Sequence, residues 1–182
     1  MEHPQKARVI LTHTRDDGVS TFTENLTETQ VEKDANGVPV FRVTQLWGTA
    51  DGIGTVGPGQ NPEQVVNPWY PEPGAVRFRF FTFEPERPAG AGDDTHQIQD
   101  VQTEDESGFA DSFDPERPGM HISDSIDFVH VLSGEVVLEL EQGETVVKKG
   151  DVVIMRGGWH RWRNETAEPC TVASVMVGTT RN

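Results

Sequence analysis

Short runs in which apolar and polar residues alternate, or in which β-branched residues cluster, recur along most of the chain. Alternation with a period of two places one set of side chains on each face of a strand, whereas an amphipathic helix needs a period of about 3.6 residues. The runs are rich in Val, Ile, Thr and Phe, which favour strands. Strands are therefore predicted at 8–12, 41–47, 76–83, 128–132, 136–140, 145–148, 152–155 and 171–177.

Turn-forming dipeptides separate these runs. They include Asp17-Gly18, Asn36-Gly37, Ser133-Gly134 and Gln142-Gly143, in which glycine supplies backbone conformations that other residues rarely adopt. Many short strands at even spacing are typical of an antiparallel barrel or sandwich. A chain of 182 residues is long enough for one domain with an elaborated arm, so a single all-β domain is predicted.

Two stretches interrupt the strand pattern. Residues 48–74 are rich in Gly and Pro and are expected to form an irregular but ordered loop. Residues 84–119 are acidic with few apolar anchors, so we expect a mobile loop or a lid. The chain then divides into N-terminal strands and loop at 1–83, the acidic segment at 84–119, and the segment that carries the candidate site at 120–182.

The chain is strongly acidic, with a formal net charge of −15. Such a surface repels phosphate backbones and anionic lipids, so nucleic-acid and membrane partners are not expected. No apolar run approaches the ~20 residues that span a bilayer, and the N-terminus lacks the apolar core of a signal peptide, so a cytoplasmic location is expected. The single cysteine, Cys170, excludes an internal disulfide and a cysteine-based zinc site, and it is expected to be a buried, inert thiol.

The candidate chemistry lies between residues 121 and 164. His121, Asp127 and His160 belong to strand-like runs separated by glycine turns. Imidazole and carboxylate groups aimed into one cavity form a ligand set for a divalent metal, and three ligands leave positions open for substrate, water or O₂. Trp162 and Asn164 share the strand parity of His160 and are expected on the same face, whereas His130 has the opposite parity to Asp127 and is expected to point outward.

These residues also resemble the two sequence motifs of the cupin superfamily. Asp127 lies seven residues before Gly134, His121 matches the first histidine of the first motif, and Ser123 occupies the place of the second. The second motif runs from Gly150 through Gly158 to a His-x-x-x-Asn pattern. The run Arg156-Gly-Gly-Trp-His-Arg-Trp-Arg-Asn164 is similar to that of one subgroup of small cupins, with Arg156 in place of the usual Pro.

The resemblance implies a jelly roll whose sheets are extended by N-terminal strands, and a homodimer that pairs through those strands. It implies a metal-dependent enzyme of the lyase type, which decarboxylates or dehydrates a small oxygenated substrate. His121, Asp127 and His160 would hold the metal (Fe, Mn, Zn or Ni), with His160 and Asp127 also moving protons. Substrate contacts are expected from Ser123, Arg156, Trp162 and Asn164. The alternatives are an Fe(II) dioxygenase and a non-catalytic small-molecule-binding protein with a metal-free pocket.

Overall fold

The structure is a computed structural model that describes residues 6–33, 37–50, 52, 56–59, 64–86 and 108–182. Most of the predicted acidic lid, including His96, lies outside these residues, so the expectation of a mobile loop or lid stays a prediction. Within the described part the regular structure consists of β-strands and one short 3-10 helix at Ala110–Ser112. No helix in these ranges has the length and apolar character needed to cross a membrane.

The described residues form ten strands. Each of the eight predicted strands is present, and the two strands that the pattern did not predict are β2 and β9. The strands are β1 (Lys6–Thr14), β2 (Ser20–Lys33), β3 (Pro39–Gly48), β4 (Val76–Phe83), β5 (Ser125–Ser133), β6 (Glu135–Leu140), β7 (Glu144–Lys148), β8 (Val152–Arg156), β9 (His160–Arg163) and β10 (Cys170–Gly178).

These strands build two antiparallel sheets. The larger sheet has the order β1-β2-β3-β4-β10-β5-β8, and the smaller one has the order β7-β6-β9. The main hydrophobic core contains Val129 and Val172 from the larger sheet and Leu138 and Trp162 from the smaller one, so it lies between the two sheets. The prediction of an all-β fold with antiparallel sheets is confirmed. The N-terminal strands β1 to β3 extend the larger sheet beyond β4, as expected.

The turn between β5 and β6 shows why glycine is needed in the first motif. Gly134 has φ +73°, and a Cβ atom there would lie 2.7 Å from the carbonyl oxygen of Pro169 and 2.9 Å from Cα of Cys170. Both the backbone conformation and the close approach of β10 therefore require glycine. Cys170 itself is fully buried and free. Burial raises the pKa of its thiol to about 11. The expected burial of Cys170 is confirmed, and its low reactivity stays a prediction.

Candidate functional site

A cavity of about 70 Å³ lies against the main core, between the sheets. Its walls are mostly aromatic and aliphatic, with a few polar groups, an arrangement typical of a small-molecule site. The lining residues are Phe41, Trp69, Tyr70, Phe81, Phe83, Phe109, His121, Ser123, Asp127, Val129, Met155, His160, Trp162, Val172, Ser174 and Met176.

Two histidines form the polar end of this cavity. His160 begins β9, and His121 is joined to it by a short antiparallel bridge, in which each backbone N–H donates to the other residue's carbonyl at 2.9 and 3.0 Å. The two ring centroids lie 4.1 Å apart. β9 belongs to the smaller sheet, and His121 precedes β5 of the larger one. The bridge therefore links the two sheets at the place where both imidazole rings line the cavity.

The backbone fixes the tautomer of both rings. Nδ1 of His121 donates to the carbonyl of Gly119 at 3.1 Å, and Nδ1 of His160 donates to the carbonyl of Gly158 at 2.9 Å. A carbonyl oxygen only accepts, so Nδ1 carries the proton in each ring. The Nε2 lone pair of a neutral ring is then left to act as a base or as a metal ligand.

Burial keeps both rings neutral. It lowers the pKa of His121 to about 3, with a further contribution from the neighbouring His160. Burial also lowers the pKa of His160, although its hydrogen bond to Gly158 opposes the change. At neutral pH the cavity therefore presents two uncharged imidazoles.

Asp127 is the buried carboxyl group of the site, on β5. The Ser125 hydroxyl donates to its Oδ1 at 2.6 Å, and the hydroxyls of Ser123 and Ser125 are hydrogen-bonded to each other at 2.8 Å. Burial raises the pKa of Asp127 to about 6, against the opposing effects of the Ser125 hydrogen bond and the positive charge of Arg79. A carboxyl group with this pKa can give or take a proton near neutral pH.

The fit of these residues to a metal ion is partial. The two neutral imidazoles, each held through Nδ1, have the form that metal-ligating histidines usually show. Within the described residues, however, no three His, Cys, Asp or Glu side chains are placed so that they could hold a metal together. His121, Asp127 and His160 therefore do not form the expected three-ligand group, and metal binding stays a prediction that rests on the two imidazoles.

Of the four expected substrate contacts, the structure brings two to the cavity. Ser123 and Trp162 line it, and Trp162 stacks on Phe83 with ring centroids 5.7 Å apart. Arg156 is exposed and lines a separate surface groove of about 270 Å³ together with Arg181. Arg156 thus has no place in the cavity between the sheets.

Asn164, the fourth expected contact, is engaged elsewhere. Its side chain is buried, and its Nδ2 donates to the carbonyls of Phe83 and Glu168 at 2.9 and 2.8 Å. Its Oδ1 accepts from the backbone N–H and the hydroxyl of Thr166. The amide ties β4 to the turn after β9, and this arrangement gives no support to a substrate contact.

Several lining residues were not predicted from the sequence. Trp69, Tyr70 and Phe109 come from irregular segments that have no periodicity, so no pattern could have placed them. Burial raises the pKa of Tyr70 well above its ordinary range, and its hydroxyl is hydrogen-bonded to Ser112 at 2.9 Å. Ser174 could have been found, since it shares strand parity with the buried Cys170.

The inward face of β4 carries arginines where aromatic residues would be expected. Its sequence alternates Arg and Phe, and an isolated strand of this kind would be expected to bury the aromatic rings. Instead Arg77 and Arg79 are fully buried, while Phe78 and Phe80 lie on the other face in an edge-to-face pair. The guanidinium of Arg77 donates to the backbone carbonyls of Thr49, Asn67 and Pro68, so it anchors the Gly- and Pro-rich segment over this end of the sheet.

The two antiparallel sheets define an all-β protein, with a buried histidine pair and a buried carboxyl group at an internal cavity. Comparison with known families agrees: residues 112–177 match the family model Cupin_2, described as the cupin domain. This segment, roughly a third of the chain, contains His121, Asp127 and His160 and is similar to a cupin domain. The narrower subgroup suggested by the second motif stays a prediction.

Similarity to individual proteins covers less of the chain. Phomopsin biosynthesis cluster protein C' of Diaporthe leptostromiformis is 47% identical over 55 residues, which are 28% of this chain and 29% of that protein. Oryzines biosynthesis cluster protein J of Aspergillus oryzae is 46% identical over 48 residues, 26% of this chain and 27% of that protein. The chain thus matches less than a third of the length of these relatives.

Among solved structures, a cupin-2 domain protein from Rhodospirillum rubrum superposes with a TM-score of 0.44. The two chains are 13% identical, and the superposition covers 86% of this chain and 72% of the other.

Proposed function

We propose that the protein is an enzyme that carries out a lyase-type reaction, decarboxylation or dehydration, on a small oxygenated organic molecule bound between its two sheets. The observation that carries the proposal is the pair of neutral imidazoles of His121 and His160 in one apolar cavity with Asp127. Decarboxylation and dehydration both need a proton to be taken up or released next to a carbonyl or hydroxyl group of the substrate. The imidazole and carboxyl side chains of the cavity can take up or release such a proton.

The residues divide this work according to their protonation. Nε2 of His160 has a lone pair at neutral pH and can accept a proton from the substrate. His121, whose pKa burial lowers to about 3, is too weak a base for that step and is suited to hold a ligand through its Nε2 lone pair. Asp127, with a pKa of about 6, is partly protonated in the same range and can donate one. Its Oδ1 accepts from Ser125, while its Oδ2 has no hydrogen-bond partner among the described residues and is left for the substrate.

The walls of the cavity support the same chemistry. Phe83 and Trp162 stack on one another beside the histidine pair, and Phe81 and Val172 are further apolar lining residues. An apolar wall lowers the local dielectric and strengthens every electrostatic interaction with a developing charge. A flat or oxygenated organic molecule would pack against these rings with its polar end at the histidines.

A divalent metal, when bound, would be held by Nε2 of His121 and of His160 and would polarise a carbonyl oxygen of the substrate. Iron, manganese, zinc and nickel all accept imidazole ligands. The names of the relatives, which belong to biosynthesis clusters, further support a role in making small molecules.

A non-catalytic binding protein is the second candidate. It is favoured by the finding that, within the described ranges, no three ligand side chains are placed to hold a metal, and by the small size of the cavity. The Fe(II) dioxygenase needs an open metal site and consumes O₂, so oxygen uptake separates it from a lyase.

The deciding experiment is metal content by mass spectrometry, followed by activity on a panel of small keto and hydroxy acids. We expect near-stoichiometric metal in the wild type and its loss in His121→Ala. The matched control is His130→Ala, because His130 is exposed on the outer face of β5. Turnover without O₂ uptake would support the lyase. Absence of both metal and turnover, after reconstitution with each of the four metals, would favour the binding protein.

A further inference from the structure

The side chain of Arg79 has an unusual set of partners for a buried cation. It is fully buried on the inner face of β4, and its three hydrogen bonds go to the amide oxygen of Gln45, the carbonyl of Trp69 at 2.6 Å and the sulfur of Met176 at 3.5 Å. Its guanidinium also lies 4.2 Å from the centroid of the Trp69 ring. None of these groups is negatively charged.

A guanidinium has five N–H donors, so the three bonds of Arg79 leave two of them without a partner in the part of the chain that the structure describes. The bond from Nη1 to the thioether of Met176 is the weakest of the three, because sulfur is a poor acceptor. Among the described residues Arg79 forms no ion pair, and Asp127 acts on it only through space while bonding to Ser125. A buried cation without a hydrogen-bonded anion is costly unless a ligand supplies one.

A second polar group faces the same place. Ser174 is directly opposite Arg79 in the β4–β10 register, so their side chains project from the same face of the sheet. Ser174 is 3% exposed and lines the cavity. Its hydroxyl makes no hydrogen bond with any residue that the structure describes, so it is available to a ligand in the cavity.

Met176, whose sulfur accepts from Nη1 of Arg79, lines the cavity, whereas Arg79 itself does not. A methionine side chain is unbranched and adopts several conformations at little cost. If its sulfur moved aside, Nη1 of Arg79 would face the cavity next to the Ser174 hydroxyl. Replacement of sulfur by a carboxylate oxygen would exchange a weak acceptor for a charge-assisted hydrogen bond.

We propose that Arg79 Nη1 and the Ser174 hydroxyl form a subsite for a carboxylate group of the ligand. When no ligand is bound, the thioether of Met176 accepts the Nη1 hydrogen bond in place of the carboxylate. This inference deepens the proposed function, since it names the substrate class as a small carboxylic acid. The carboxylate bound at the arginine end would be retained in the product. The carbon that loses water, or a second carboxylate as CO₂, would lie toward the histidine pair.

The test is binding of small acids to the full-length protein with ¹³C-methyl-labelled methionine, observed by NMR. The probes are acetate, pyruvate and benzoate, each paired with its neutral amide. Met176→Leu identifies the Met176 methyl resonance. We expect at least one acid to shift this resonance while its amide does not, and Ser174→Ala to weaken that acid's binding by about tenfold, as expected for a hydrogen bond to a charged group.

The control variant is Ser133→Ala, because Ser133 ends β5 and does not line the cavity; it should bind the acids like the wild type. Arg79→Gln should abolish binding of the acids. Because this substitution also removes the hydrogen bond to the carbonyl of Trp69, the affinity of Ser174→Ala is the measurement that tests the subsite. Equal binding of acid and amide, no shift of Met176 with any of the three acids, or unchanged affinity in Ser174→Ala would overturn the subsite.

This experiment is independent of turnover. A protein that binds the acids through Arg79 and Ser174 but transforms none of them would keep the subsite and contradict the lyase. A protein that dehydrates neutral substrates and ignores the acids would contradict the subsite and keep the lyase as a dehydratase.

Discussion

The imidazole rings of His121 and His160 lie 4.1 Å apart, and each donates its Nδ1 proton to the carbonyl two residues earlier in its own segment. His160 begins β9 of the smaller sheet, whereas His121 lies in the segment before β5, and reciprocal backbone hydrogen bonds join the two residues. The backbone therefore fixes both the position and the tautomer of the pair. Two Nε2 lone pairs in an aromatic cavity are the chemical feature from which the function is proposed.

Replacement of His160 by alanine should reduce activity by at least about a hundredfold, because a base or ligand is removed from the cavity. The fold should persist, since the backbone bridge to His121 does not involve the ring. Circular dichroism and turnover measured on the same sample check both parts. His130→Ala should behave like the wild type, and an unfolded His160→Ala protein would show that the ring has a structural role instead.

Asp127 makes the stability depend on pH in a defined direction. In the native state its pKa is about 6, whereas an unfolded aspartate titrates near about 4. Between these values the native state binds more protons, so this group makes the free energy of unfolding fall as pH rises. Asp127→Asn lacks this titrating group. The free energy of unfolding at pH 7.5 minus that at pH 4 should therefore be larger in Asp127→Asn than in the wild type, by up to about 3 kcal/mol.

Urea denaturation of both proteins at the two pH values measures this difference. The lowered pKa values of His121 and His160 have the opposite effect on stability, but they are common to both proteins and cancel in the comparison. Asp111→Asn, at an exposed carboxyl group, should follow the wild type. Parallel curves for Asp127→Asn and the wild type would show that Asp127 titrates normally.

Gly134, in the turn after β5, can be compared with Gly143, in the turn between β6 and β7, as a matched control. Both have positive φ, but a Cβ at Gly134 would clash with Pro169 and Cys170, while none of the described atoms lies within 4 Å of a Cβ at Gly143. Alanine at either position pays a backbone penalty of about 1 kcal/mol. Gly134→Ala should therefore be the more destabilising by a further 1 to 3 kcal/mol, roughly the size of an overpacking effect, as measured by thermal and urea denaturation. Equal losses would mean that β10 can move away from the turn.

Replacement of Asn164 by alanine should lower the free energy of unfolding by about 2 to 4 kcal/mol, because the buried carbonyl of Phe83 and the backbone of the turn after β9 lose their partners. Equilibrium unfolding in urea measures the change. Thr166→Val removes one hydrogen bond to the same amide and the hydroxyl's two bonds with the backbone of Glu168. It leaves the bonds from Nδ2 of Asn164 to Phe83 and Glu168 in place, so it should show a smaller loss. A stable variant with weakened substrate binding would instead restore the contact expected from the sequence.

We expect a homodimer, which light scattering would show as twice the 20.2 kDa chain mass. Two exposed apolar surfaces could form it: Phe22 and Leu26 on β2, or Phe128 and Ile154 on β5 and β8. Pairing through the N-terminal strands predicts that Phe22→Glu with Leu26→Glu gives a monomer and that Phe128→Glu with Ile154→Glu does not. The reverse result would place the interface on β5 and β8, and a monomeric wild type would contradict the dimer.

The local pattern of the chain was enough for much of the fold. Alternation, β-branched residues and glycine turns located eight of the ten strands that the structure describes, because these features act over a few residues and do not depend on the rest of the molecule. The strand β2 was missed because most of its positions are polar or exposed, and β9 because four residues are too few to show a period. Parity also placed His160 and Trp162 on one buried face, as β9 has them.

Tertiary structure alone decided which groups meet in the cavity. Alternation says that Arg79 and Phe80 face opposite ways, but only the packing of β4 against β10 and the cover of Trp69 turn the arginine inward. Asn164 has the parity of a cavity residue, yet its side chain donates a hydrogen bond to the carbonyl of Phe83, on a strand far away in sequence. Periodicity fixes the relative direction of neighbouring side chains, whereas the choice of the buried face depends on contacts between distant segments, which no local pattern contains.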